Sequence, residues 1–188
     1  MRRSSDGTVR FVSSNRHKYD EALPVLRGLG VRVEYERASL QEVQSDELAV
    51  IARAKARDAY GRLGRPVIVE DDGLFIEALD GFPGAYSSYA LRTIGIAGIL
   101  KLLEGSGGRR ATFSAAIAYD DGSEGRAFEA SVRGVISEAS RGEKSWGYDP
   151  VFVPDGQDKT FAEMGPGQKI GASHRTGALK AFAEWYAG

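Results

Sequence analysis

The chain has 188 residues, 42% hydrophobic and 27% charged, enough for one α/β core or for two small lobes sharing a sheet. With 25 basic against 26 acidic residues the formal net charge is −1. The bulk attraction behind non-specific nucleic-acid binding is therefore missing, and any anionic partner has to be held locally. The absence of cysteine excludes disulfides, thiol nucleophiles and cysteine-ligated zinc, leaving oxygen and nitrogen as ligands.

The opening MRRSSDGTVRFVSS has two arginines but no apolar run behind them, and no window of the sequence approaches a membrane span. The expectation is a cytoplasmic protein without a membrane partner, with residues 1–7 a loosely ordered extension. Residues 9–13 read as a short strand. Residues 19–29 read as a helix, with Pro24 inside marking a kink or a misplaced boundary. In residues 31–37, Val31, Val33 and Tyr35 alternate with Arg32, Glu34 and Glu36, the pattern of a half-buried strand. A helix over residues 46–63 follows from Leu48, Ile51, Ala52 and Ala59, and Lys55 lies on its inward stripe.

Residues 66–70 form an apolar strand ending in acid, 74–79 a second strand or extended segment, and GFPG at 81–84 a turn. Residues 94–103 are apolar and helical, although Gly95 and Gly98 weaken the pattern. Phe113, Ala115, Ile117 and Tyr119 alternate, DDG at 120–122 turns, and residues 126–136 return as an antiparallel hairpin. A short strand at 151–153 and a Gly-rich polar stretch lead to a final helix over 174–186. Leu179, Phe182, Ala183 and Tyr186 share one of its faces, and Ser173 is placed to cap its start.

Four stretches carry chemistry. In VEDDGLF, Glu70, Asp71 and Asp72 stand side by side after an apolar run. A turn that favours Asp and Gly accounts for DDG alone, but adjacent like charges repel unless a cation or a wet cleft accommodates them. Mg²⁺ suits such oxygens and bridges a protein to substrate phosphates. SSNRHK at 13–18 sits where a strand enters a helix. It reads either as an ordinary capped helix or as a phosphate cradle of backbone N–H groups, and it lacks the glycines of a Walker A loop. KIGASHRTG at 169–177 puts His174 and Arg175 at a helix start near Lys169, either as surface residues or as an anion site. WGYDP at 146–150 is either a structural turn or a slot that stacks a flat ring and offers one acceptor.

Taken in this order, with Glu42, Lys55, GFPGAYSSY, KTFAEM and SHRTGALKAF, the stretches resemble the inosine triphosphate pyrophosphatase family over about residues 10–186. GFPGAYSSY and ILKLLEG look most like archaeal members. The resemblance implies an α/β fold: an elongated, twisted mixed sheet flanked by helices, one domain of two lobes around a central cleft, usually a homodimer. It implies hydrolysis of ITP, dITP or XTP to the monophosphate and pyrophosphate, with Mg²⁺ as cofactor, one ion per subunit. On the same ground the family's phosphate loop falls on Ser13, Ser14, Asn15 and Lys18, with Arg16 and His17 in the same stretch. The helix lysine falls on Lys55, and the metal-binding acids on Glu42 and Asp71, with Asp71 also the base for the attacking water. The base pocket falls on Trp146, Gly147, Tyr148, Asp149, Lys169, His174 and Arg175. Three positions depart from the family's habit: His17 stands for Gly, Asp72 for a Ser that faces substrate, and Trp146 for Phe.

Hypoxanthine and xanthine present an acceptor at C6 and a donor at N1, and adenine reverses both. Donors from Lys169, His174 or Arg175 with an acceptor at Asp149 therefore favour deaminated bases. Guanine shares both groups, so its rejection needs a further contact at the 2-amino position. Two other readings remain open: a pyrophosphatase for pyrimidine or modified triphosphates, and a non-catalytic nucleotide- or RNA-binding module, the RNA option disfavoured by the neutral charge. An aspartyl phosphatase fails on spacing, because D-x-D is replaced here by Glu70 and Asp72.

Overall fold

A computed structural model of the chain describes residues 7–143 and 146–188. The expected N-terminal extension, apart from Gly7, lies outside the described residues. The elements run β1 (Thr8–Val12), α1 (Arg16–Gly28), β2 (Arg32–Glu36), α2 (Leu48–Leu63), β3 (Val67–Ile76), β4 (Pro83–Gly84), α3 (Ser87–Thr93) and α4 (Gly95–Leu102). They continue with β5 (Arg110–Asp120), β6 (Gly125–Ile136), β7 (Phe152–Pro154), α5 (Pro166–Ala172) and α6 (His174–Ala187). Among the described residues the strands form one sheet in the order β2-β1-β3-β5-β6-β7, with β4 paired to β3. The β1–β2 and β1–β3 pairs are parallel, and the β3–β4 and β6–β7 pairs antiparallel. The sheet is thus mixed and carries helices, an α/β fold. No helix among the described residues is long and apolar enough to cross a membrane.

The chain divides into two compact units. The first takes the chain up to Asp71, then Ala115–Ala130 and Arg175–Gly188. Its core grows from β1, where Val9 and Phe11 are fully buried and pair in register with Val33 and Tyr35 of β2. Leu179 and Phe182 of α6 are also fully buried, each such side chain contributing roughly 1.5–3 kcal/mol. Helix α1 tolerates Pro24 because the residue whose carbonyl loses its donor, Asp20, lies on the exposed face.

The second unit comprises Asp72–Ser114 and Ser131–His174. Leu74, Ile76, Ile99, Phe113, Phe152 and Phe161 anchor its core. Here the structure joins the two segments expected at 66–70 and 74–79, since β3 runs unbroken through the acids to Ile76. Gly73 is the reason. A Cβ there would lie 2.5 Å from the Gly84 carbonyl oxygen, so glycine serves the close approach of β4 rather than a turn. Ser87 locks the arrangement, its hydroxyl donating to Gly84 O at 2.7 Å and accepting from Leu74 N at 2.8 Å. Helices α3 and α5, seven residues each, are too short to leave a periodic signal, and α5 stands in the stretch read as Gly-rich and polar.

Candidate active site

In the first unit, the turn from β1 into α1 satisfies its own donors. Ser13 Oγ accepts from Asn15 N at 3.0 Å, and Asn15 Oδ1 caps α1 by accepting from His17 N at 3.0 Å. Ser14 and His17 are exposed, and Arg16 bonds Asp20 at 2.8 Å while its guanidinium lies 5.1 Å from the Tyr19 ring. Lys18 turns inward, with only 13% of its side chain exposed and Nζ 3.6 Å from Glu70 Oε1.

Glu42, Lys55 and Asp71 come together from three separate segments. Lys55 Nζ lies 2.6 Å from Asp71 Oδ1 and 2.6 Å from Glu42 Oε1, so the two carboxylate oxygens are within twice that distance of each other. Lys55 reaches them from the buried stripe of α2. Asp71 is nearly buried, whereas Glu42 keeps 71% of its side chain in solvent. The loop bearing Glu42 is tied to α2 twice: Gln41 N donates to Asp58 Oδ2 at 3.1 Å, and Arg62 Nη1 donates to Ser39 O at 2.9 Å. The hydrogen bond from Gln41 holds the Asp58 carboxyl below its ordinary range.

Successive strand residues point to opposite faces, so the acids pooled by sequence have different partners. Asp71 meets Lys55. Glu70, its side chain fully buried, receives Arg175 Nε and Nη2 at 2.7 Å each, and Arg175 also pairs with Glu21 of α1. Glu21 and the pairing role of Glu70 were not anticipated. The available signal was Glu21 three residues after Lys18, on one helix face, together with the need of a buried carboxylate for a cation.

In the second unit, Lys169 of α5 donates to Asp149 Oδ2 at 2.6 Å, and its ammonium lies 5.6 Å from the centre of the Trp146 ring. Gly147 adopts φ +67°, the left-handed region that WGYDP needs in order to turn. Tyr148 points into the core: it is 2% exposed, its hydroxyl donates to Ser87 O at 2.8 Å, and burial pushes its pKa up to about 12. His174 is 2% exposed and stacks on Phe113 with ring centres 4.0 Å apart. The KTFAEM stretch forms a single turn capped reciprocally by Thr160 and Glu163. Asp72 opens this unit and is half-buried. The structure thus groups Glu42, Lys55 and Asp71, groups Lys18 and Arg175 about Glu70, and groups Trp146, Asp149 and Lys169.

Comparison with known proteins gives these arrangements a context. A protein of Methanopyrus kandleri named dITP/XTP pyrophosphatase is 51% identical over 95% of each chain. One of Hyperthermus butylicus with the same name is 49% identical over 94% of this chain and 93% of its own. Among solved structures, a HAM1 protein from Coxiella burnetii superposes with a TM-score of 0.81 at 26% identity, covering 95% of this chain and 98% of that one. The Ham1 family model matches residues 9–185, and the chain therefore belongs to the Ham1 family.

Proposed function

We propose that this chain hydrolyses the deaminated purine nucleoside triphosphates dITP, XTP and ITP to the monophosphate and pyrophosphate, in keeping with the names of its relatives. The observation that carries the reading is the convergence of Glu42 and Asp71 on one cationic group, the Lys55 ammonium, at 2.6 Å each. Carboxylates that share an ammonium at such distances have the donor chemistry and spacing to share a divalent ion. Two protein oxygens also leave room for water and phosphate ligands, as Mg²⁺ requires. Glu42 and Asp71 would hold Mg²⁺, which supplies positive charge to the phosphates and acidifies water.

The remaining steps belong to the chain's own groups. A nucleoside triphosphate carries roughly four negative charges at neutral pH, and the protein's task in such a transfer is to position groups and offset charge. Lys18 of α1 and Lys55 of α2 take the phosphate end. Asp71 accepts a proton from the water that attacks the α phosphorus. A new bond forms to that oxygen, the bond from the α phosphorus to the bridging oxygen breaks, and pyrophosphate departs with the electron pair. Trp146 offers a face to the base, Asp149 accepts from N1–H, and Lys169 and His174 donate toward O6. Arg175 is neutralised by Glu70 and Glu21, which suits it to orienting the nucleoside rather than offsetting triphosphate charge.

The enzyme acts as a homodimer in the cytoplasm. Phe82, Tyr86 and Tyr89, exposed at 40%, 44% and 60% within eight residues of sequence, are the apolar side chains offered for self-association. Pyrophosphate release across a panel of purine and pyrimidine triphosphates, with and without Mg²⁺, tests the reading. Activity confined to pyrimidine or modified triphosphates would redirect it, and binding without hydrolysis of any would overturn it.

A further inference from the structure

Glu70 is a buried carboxylate to which the reaction outlined above gives no part beyond neutralising Arg175. Its side chain is fully buried, that of Arg175 is 3% exposed, and two parallel N–H···O contacts of 2.7 Å fix their relative geometry. Glu21 engages Arg175 Nη1, and Lys18 Nζ lies 3.6 Å from Glu70 Oε1. Two carboxylates therefore balance one guanidinium and one ammonium in a group that is buried at Glu70 and Arg175 and opens toward solvent at Glu21. Such a group is weak support for stability, because desolvating the charges offsets most of their attraction, and apolar residues of like volume commonly do as well. What a forked pair does provide is direction. A planar guanidinium gripped at Nε and Nη2 cannot rotate about its stem, and a neutral or shorter partner loses that grip.

We propose that Glu70 is a positioning residue for substrate recognition, acting through Arg175. Its carboxylate sets the guanidinium plane at the start of α6, and the quality of nucleotide binding depends on that plane being held. The inference rests on the assignment of Arg175 to the nucleotide site. Because contact with the nucleoside is made before and during the chemical step alike, the effect falls on KM rather than kcat.

The experiment is a double-mutant comparison with ITP as substrate, using Glu70→Gln, Glu70→Asp, Arg175→Met and each Glu70 variant combined with Arg175→Met. Glu70→Asp keeps the charge but withdraws the carboxylate by one methylene, so it carries the comparison should Glu70→Gln fail to fold. Each single variant is expected to raise KM about tenfold, the size of one lost charge-assisted hydrogen bond, with kcat nearly unchanged. In the Arg175→Met background the Glu70 variants are expected to add nothing, since the group they orient is gone. Glu70 variants that lower the melting temperature but leave KM untouched would reduce the residue to a structural role and overturn the inference, as would effects that add in the double variants. Should Arg175→Met itself leave KM unchanged, the assignment of Arg175 to the nucleotide site fails, and this inference with it. A rise in KM with Arg175→Met alone would spare that assignment and sink only the role of Glu70.

Discussion

Lys55 and Asp71 share a hydrogen bond of 2.6 Å between Nζ and Oδ1, and both side chains are close to nine-tenths buried. A water approaching Asp71 thus meets a carboxylate whose position is fixed by a neighbouring cation. Asp71→Asn keeps the shape and removes the proton acceptor. Turnover of ITP is expected to fall by about 10²–10⁴-fold, the usual contribution of a general base, while nucleotide binding measured by calorimetry persists. Loss of binding in parallel with turnover would make Asp71 a substrate anchor instead.

Lys55 occupies the carboxylate oxygens proposed to hold a divalent ion, so on that reading lysine and metal compete for Glu42 and Asp71. Lys55→Met is expected to bind Mn²⁺ at least about tenfold more tightly in the absence of nucleotide, since the two charge-assisted contacts of Lys55 with Glu42 and Asp71 no longer have to be broken. Titration followed by the paramagnetic resonance of free Mn²⁺ reads this directly. Lys18→Met, the same charge change at a lysine paired with Glu70 instead, is the control and should shift the affinity less.

Parts of this site were legible in the sequence and parts were not, for physical reasons. Phe11 and Leu26 sit in local periodic patterns, so β1 and α1 could be read, as could the inward course of Lys55 on α2. The course of β3 could not, because Gly73 answers to β4, a partner whose approach no local window reveals. Alternation alone separates Glu70 from Asp71, but nothing local says that Glu70 answers to Arg175, 105 residues away. In WGYDP the composition suggested two aromatic faces, yet Tyr148 found its hydroxyl partner in the core at Ser87.

Asp72 adds a negative charge where related chains are expected to carry a serine hydroxyl. If Asp72 takes part in the proposed site, its extra carboxylate raises the demand for cation charge. Asp72→Ser is expected to lower the Mg²⁺ concentration that supports half-maximal hydrolysis of ITP. An unchanged Mg²⁺ dependence together with an unchanged rate would show that Asp72 takes no part in the site.

Gly73→Ala probes the backbone rather than the chemistry. Its new methyl would stand 2.5 Å from Gly84 O and 3.2 Å from the Phe75 ring, so β4 has to move. Overpacking of this kind costs about 1–3 kcal/mol. For a chain of this size each kcal/mol corresponds to a shift of roughly 2–4 °C in melting temperature. Differential scanning calorimetry should register that drop. An unaltered melting temperature would mean that β4 is held less tightly than its contacts imply.

Asp58 gives the site a dependence on acid. Hydrogen bonding from Gln41, followed by that from Arg62, holds the Asp58 carboxyl in the folded chain below the ordinary carboxylate range. A depressed carboxylate contributes stability above its unfolded pKa and loses that contribution as pH falls through the lower folded value. The gap in melting temperature between the native chain and Asp58→Ala is therefore expected to be largest near neutrality and to shrink as pH falls below about 4. The same variant releases one of the two ties on the loop carrying Glu42, a residue held to the site from a mostly exposed position. Asp58→Ala should accordingly raise the Mg²⁺ concentration needed for half-maximal activity at neutral pH while leaving kcat at saturating Mg²⁺ nearly intact. A fall in kcat that excess Mg²⁺ fails to restore would mean that the loop contributes to the chemical step itself.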